Sequence, residues 1–235
     1  MNLENENTTK EIAMETENKV QHDPVVDLPV VEAYMNWALK ATEEVVGKQG
    51  LAIILRENGL ERFIDNYPPE NLVLNNHITS REYANLCAGV MKFYGRAGKS
   101  VLIRIGRISS KFAIGKQGTV FNIAALAATK LLPLSAQIKI GFENVQNGFR
   151  KIYKDGGSEI HLRIEDRGDT WAYVAETCPL CAGKEADSNI CWSWIGTLKE
   201  LLTWLTGKEF DVKEVECRAT GAPACVWEVS KTAKE

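Results

Sequence analysis

Five of the six cysteines in this 235-residue chain, Cys178, Cys181, Cys191, Cys217 and Cys225, fall in its last quarter. They arrive in two runs, CPLCAGKEADSNIC and EVECRATGAPAC. Thiols at short, unequal spacings, without the basic start and apolar run of a secretory signal, point to metal before disulfides. Glu214, three residues before Cys217, can complete a four-ligand set.

Part of that set follows from local geometry. Val212–Cys217 and Cys225–Val229 read as two strands, with Gly221 and Pro223 in the turn between them. In a symmetric hairpin Cys217 and Cys225 face each other, with Cβ atoms roughly 4.5–5.5 Å apart, so both sulfurs can reach one zinc at about 2.3 Å. Cys191 opens a helix, with Ser188 and Asn189 before it as candidate caps. A helix N-terminus favours the thiolate that a metal needs. Glu214 and Cys217 are three apart, which sends them to opposite faces of a regular strand. They can share a metal only across a bulge or at the strand's end. Other readings stay open at this point: buried structural thiols, a Cys217–Cys225 disulfide, or a redox dithiol at Cys178 and Cys181.

The elements that must position these residues are read from periodicity. Leu28–Val46 is expected to be helical, followed by short helices over Gly50–Arg56 and Leu60–Asn66. Thr79 caps a helix through Tyr94. Val101–Ile114 and Thr119–Lys130 are read as helices, and Leu134–Tyr153 is a long amphipathic one. After Gly156 and Gly157 the period changes to two. Glu159–Glu165 and Thr170–Glu176 then read as strands around an Asp-Arg-Gly-Asp turn. The helix Ile190–Thr206 and the final hairpin complete a ββ-α-ββ order. The expectation is an α+β fold, a helical N-terminal part packed on a four-stranded antiparallel sheet. Residues 1–24 read as a disordered acidic tail, 25–97 as a helical N-terminal region and 98–235 as the ligand-binding domain.

Composition removes several function classes. A net charge of −3 supplies no electrostatic footprint for nucleic acid. No segment reaches the ~18 apolar residues of a membrane span, so the expected setting is cytoplasmic. The sequence GRAGKS at Gly95–Ser100 mimics the end of a phosphate-binding loop, but the glycine required five residues before Gly98 is Phe93. No dinucleotide fingerprint is present, and His22, His77 and His161 are isolated.

The run Glu214-Val-Glu-Cys217, Gly221, Cys225 and Trp227 resembles the 4-vinyl-reductase domain family, from Glu176 to Val229. Two departures are visible: Gly221-Ala222 stands where the family often has Gly-Asp, and Cys178 and Cys181 are additional. The pattern is also similar to the aromatic-sensing domains of certain bacterial transcription activators. That resemblance implies one structural zinc held by Cys191, Glu214, Cys217 and Cys225. It also implies a small hydrophobic ligand, aromatic or tetrapyrrole-like, and a role as sensor or carrier. The competing reading is a 4-vinyl reductase of bacteriochlorophyll synthesis, or an accessory to it. Trp171 and Tyr173 on one strand face, with Phe142 and Phe149 on the long helix, are the pocket candidates. With no output module in the chain, a homodimer or a signalling or biosynthetic partner protein is the expected assembly.

Overall fold

The computed structural model describes residues 23–75, 77–116 and 129–234. Five helices precede or interrupt a four-stranded sheet in this region: α1 (Glu32–Glu57), α2 (Ser80–Tyr94), α3 (Gly98–Lys116), α4 (Leu134–Asp155) and α5 (Trp192–Thr206). The strands are β1 (Leu162–Asp166), β2 (Thr170–Ala175), β3 (Val212–Glu216) and β4 (Cys225–Ser230). All pairings are antiparallel in the order β1-β2-β4-β3, two hairpins joined through β2 and β4. The α+β architecture expected from the sequence is what the structure has.

Residues 23–31, expected in part to be helical, instead run alongside the start of α2. The Val30 N–H donates to the Ile78 carbonyl at 2.8 Å, and the Ser80 N–H donates to that of Leu28 at 2.8 Å. Thr79 and Glu82 form a reciprocal capping box that starts α2. The two helices expected over Leu28–Val46 and Gly50–Arg56 are the halves of α1, broken at Gly47 with φ 77°. Leu60–Asn66 shortens to a single turn at Glu61–Phe63. The expected helix Thr119–Lys130 lies outside the described residues up to position 128; Thr129–Leu131 is one helical turn. The expected tail, residues 1–24, likewise lies outside them up to position 22. The phosphate-loop mimic has a plain structural role, because Gly95 ends α2 with φ 54° and Gly98 opens α3.

One face of the sheet carries Trp171, Tyr173, Ala175, Cys225, Trp227 and Val229 toward the helices, in the alternation that a strand dictates. The main apolar core runs from Val30 to Val229. On the other face Ala172, Val174 and Val226 are buried beneath charged chains from β1 and the turn after it. There Arg167 pairs with Glu165 at 2.9 Å and Glu228 at 3.1 Å. Long charged side chains cover small apolar ones in this way while keeping their heads in water.

Helices α3 and α5 meet backbone to backbone. A Cβ placed on Gly106 would lie 1.9 Å from the Ser193 carbonyl oxygen, and one on Gly196 1.9 Å from that of Ile103. Ser110 Oγ donates to the Thr197 carbonyl at 3.3 Å across the same seam. Gly106→Ala or Gly196→Ala is therefore expected to cost about 3 kcal/mol or more, the upper end of overpacking, since backbone cannot step aside. Gly115→Ala meets nothing within 4 Å and should gain up to about 1 kcal/mol as ordinary helix propensity. Urea denaturation followed by circular dichroism separates these outcomes; equal midpoints for all three variants would disprove the close crossing.

Candidate metal centre and adjoining cavity

The hairpin that carries Glu214, Cys217 and Cys225 contains the irregularity their spacing demands. Glu214 pairs with Trp227 and Glu216 with Val226, so Val215 is an extra residue and the register shifts there. The bulge restores Glu214 and Cys217 to one face, both buried, while Val215 turns outward at 41% exposure. Cys217 follows the last residue of β3, and Cys225 is the first of β4. Between them a helical turn, Arg218–Thr220, leads to Gly221 at φ 90°. The two sulfurs are 4.0 Å apart, and the Arg218 N–H donates to Cys225 Sγ at 3.4 Å.

Cys191 comes from the other side, as the N-cap of α5. Neither Ser188 nor Asn189 caps the helix. Asn189 instead donates its side-chain amide to the Glu214 carbonyl at 2.7 Å, tying the loop to β3. The Cys191 N–H donates to Glu214 Oε2 at 2.9 Å. Glu214 Oε1 is buried with no partner, an arrangement that costs free energy unless a cation or donor completes it. Cys191 Sγ lies 3.8 Å from both Cys217 Sγ and Cys225 Sγ. Donors about 2.3 Å from a tetrahedral zinc would be about 3.8 Å apart, so these three sulfurs have the spacing of one face of such a site.

Cys178 and Cys181 converge on the same point from the end of β2, where Pro179–Cys181 forms a helical turn. Cys178 Sγ is 3.7 Å from Cys191 Sγ, and Cys181 Sγ is 3.4 Å from Cys225 Sγ. None of these sulfurs is bonded to another. Two groups of four donors result, each within 4.8 Å of one another: Cys191, Glu214, Cys217 and Cys225, and Cys178, Cys181, Cys191 and Cys225. The cluster can hold a metal ion. Burial pushes the Glu214 carboxyl up to about 9, helped by the neighbouring Cys217, and burial also raises the Cys178 thiol to about 11. Such groups give up protons to a metal rather than to water. Cys87 stands apart, its sulfur 3.9 Å from Ser193 Oγ, and burial raises its thiol to about 12.

Beside the cluster lies an apolar cavity of about 140 Å³. Its walls come from α1 (Tyr34 and Trp37), α2 (Tyr83), α3, α4 (Phe149 and Tyr153) and α5 (Trp194 and Trp204). A second cavity of about 60 Å³ shares Phe149, Tyr153, Leu180 and Trp194 with it and reaches Tyr173, Trp227 and Cys178. The indole nitrogens of Trp37 and Trp194 are buried without partners. A chain of ring contacts connects the lining, from Trp194 to Phe149 at 6.0 Å, Tyr173 at 5.6 Å and Trp227 at 6.1 Å.

Of the aromatic residues singled out in the sequence, Phe149 lines both cavities and Tyr173 the smaller one. Phe142 packs edge-on against Tyr173 in the core, 5.8 Å between centroids. Trp171 lines neither cavity; its indole nitrogen donates to Ser135 Oγ at 3.0 Å, and Lys231 Nζ sits 4.4 Å over its ring. Trp37, Tyr83 and Trp194 are wall residues that the sequence does not single out. Their trace in it is an aromatic within a helical apolar stripe, which reads as core because a wall and a core share one periodicity.

No curated protein matches the chain. Solved structures similar to it include H-NOX domains, at identities that speak to fold alone. One, from work on haem distortion in the H-NOX family, has a TM-score of 0.57 at 16% identity, covering 88% of this chain and 97% of that one. A mutant of the T. tengcongensis H-NOX gives 0.56 at 16% identity, covering 86% and 97%. A mutant H-NOX domain from Shewanella oneidensis gives 0.55 at 11% identity, covering 86% and 98%. Residues 171–231, which hold the sheet's central strands and all five clustered cysteines, match the family model of the 4-vinyl-reductase domain, the same family that the cysteine pattern resembles.

Proposed function

We propose that this protein binds a small hydrophobic molecule, aromatic or tetrapyrrole-like, as a sensor or carrier, with a structural zinc bracing the cavity wall. The observation that carries the reading is the aromatic cavity walled by Trp37 and Trp194, whose indole N–H groups are buried without partners. A mostly apolar cavity with a few polar groups is the ordinary form of a small-molecule site. The family match over residues 171–231 and the H-NOX-like fold support the same class. In this reading the rings of Trp194, Phe149 and Tyr34 sandwich the ligand, and an indole N–H orients its polar atom. Helical residues of the 25–97 region contribute to the cavity, so that region is part of the receptor.

Haem of the kind named for the H-NOX relatives fits the residues less well. Among the described residues no histidine lines either cavity, and His77 and His161 are exposed. Haem iron is most often held by histidine or cysteine thiolate, and the cysteine at the cavity edge, Cys178, belongs to the sulfur cluster. The unpartnered Glu214 oxygen and the three-sulfur face favour a compact cation at Cys191, Glu214, Cys217 and Cys225. Zinc suits a thiolate-rich four-coordinate shell, which leaves no open position for catalysis.

A small planar hydrophobic probe of one or two aromatic rings, such as 2-naphthol, should quench tryptophan fluorescence and raise thermal stability. The gain is roughly 2.7 kcal/mol at a hundredfold excess over the dissociation constant. Trp194→Phe keeps a ring and removes the N–H, so it should weaken a ligand with a polar atom about tenfold, or about 1.4 kcal/mol. Trp171→Phe should leave binding unchanged. Equal losses in the two variants would remove the cavity from the reading, and turnover of a vinyl-bearing pigment with nicotinamide cofactor by the purified chain would replace binding with reduction.

Metal removal probes the structural role. Zinc that couples to folding contributes on the order of 10 kcal/mol, so chelation should lower the melting temperature and raise hydrogen exchange in residues 171–231 before α2. A chelated protein with an unchanged melting curve would refute a structural zinc.

A further inference from the structure

A single zinc at Cys191, Glu214, Cys217 and Cys225 leaves Cys178 and Cys181 without a task, although their sulfurs are buried in the same cluster. The geometry points to a second metal ion, held by Cys178, Cys181, Cys191 and Cys225, so that Cys191 and Cys225 bridge two ions. This rests on the zinc reading above and extends it.

Ligand arithmetic carries the first part of the argument. The two four-donor groups share one edge, Cys191–Cys225, and together contain six donors. Six donors with two of them bridging complete the shells of two four-coordinate ions, two terminal ligands to each. Two-zinc modules with six cysteines use the same count. The distances agree with it. The shared edge is 3.8 Å, and the new terminal sulfurs stand 3.7 Å from Cys191 and 3.4 Å from Cys225. About 3.8 Å separates sulfurs on one tetrahedral zinc.

Burial carries the second part. Both sulfur atoms expected to bridge are fully buried, so no water competes for them, and the Arg218 backbone N–H donates to one of them, Cys225 Sγ, at 3.4 Å.

The second ion would also have a mechanical consequence. Cys178 and Cys181 enclose Pro179 and Leu180, which form wall in both cavities. Pinning the two cysteines to the centre fixes that wall.

Metal content of the full chain, purified without chelator, decides the proposal. Two equivalents of zinc are expected, falling to one in the Cys178→Ser/Cys181→Ser double variant. After cadmium exchange, cadmium NMR should show two resonances coupled through shared sulfurs, the all-sulfur site further downfield, and a single one in the double variant. One equivalent in the unaltered chain overturns the second ion, whichever residues hold it, and leaves the zinc reading standing if Cys217→Ser removes that equivalent. No metal at all overturns both. Should the double variant fail to fold, the count and the two coupled resonances of the unaltered chain still decide.

Discussion

Five sulfurs and a carboxylate drawn into one buried pocket are the constraint around which the C-terminal half is arranged. Each comes from a different structural event: the chain just past β2, the helical turn after it, the N-cap of α5, the bulge in β3, and the two sides of the final hairpin's turn. Held together, they fix the position of α5 relative to the sheet. That in turn fixes α3, because α3 and α5 touch through Gly106 and Gly196 with no room for a side chain. Ionised, such a buried cluster of donors is unfavourable without a cation.

The cavity inherits its shape from this frame. Its wall nearest the sheet is Trp194 of α5, three residues beyond Cys191, and Pro179–Leu180, which lie between two of the clustered cysteines. Cavity and cysteine cluster are therefore neighbours through covalent chain as well as through packing. The N-terminal segment is tied to the same frame, since Arg218 in the hairpin turn pairs with Asp23 at 2.5 Å. Asp23 also accepts the Gly183 N–H at 2.9 Å, just past the second cysteine.

Much of the fold is legible in the chain. The strands declare themselves by period-two alternation after Gly157, and α4 by its stripe of Ile138, Phe142, Val145 and Ile152. Thr79 with Glu82 signals the start of α2. In the candidate site, the hairpin cysteines can be placed opposite each other, and the three-residue offset between Glu214 and Cys217 already requires an irregularity in β3. These are local properties, decided by steric alternation and turn chemistry within a few residues. The cap of α5 is not legible in the same way, because Asn189 commits its amide to the carbonyl of Glu214, a partner 25 residues away.

What the sequence by itself determined is the composition of the site: which residue types could bind a metal, their spacing, and the α+β order that carries them. The tertiary structure alone decided that Cys178 and Cys181 reach the same point as the other three sulfurs. It also decided that the cavity wall is Trp194 and Trp37 rather than Trp171. The physical reason is common to both. A strand's alternation says which face a residue takes, and a helix's stripe says which side is apolar. Neither says whether that side meets packed core or a space, because that depends on which elements approach and how closely. Trp171 found Ser135 and was used up, whereas Trp194 met a cavity between the helices.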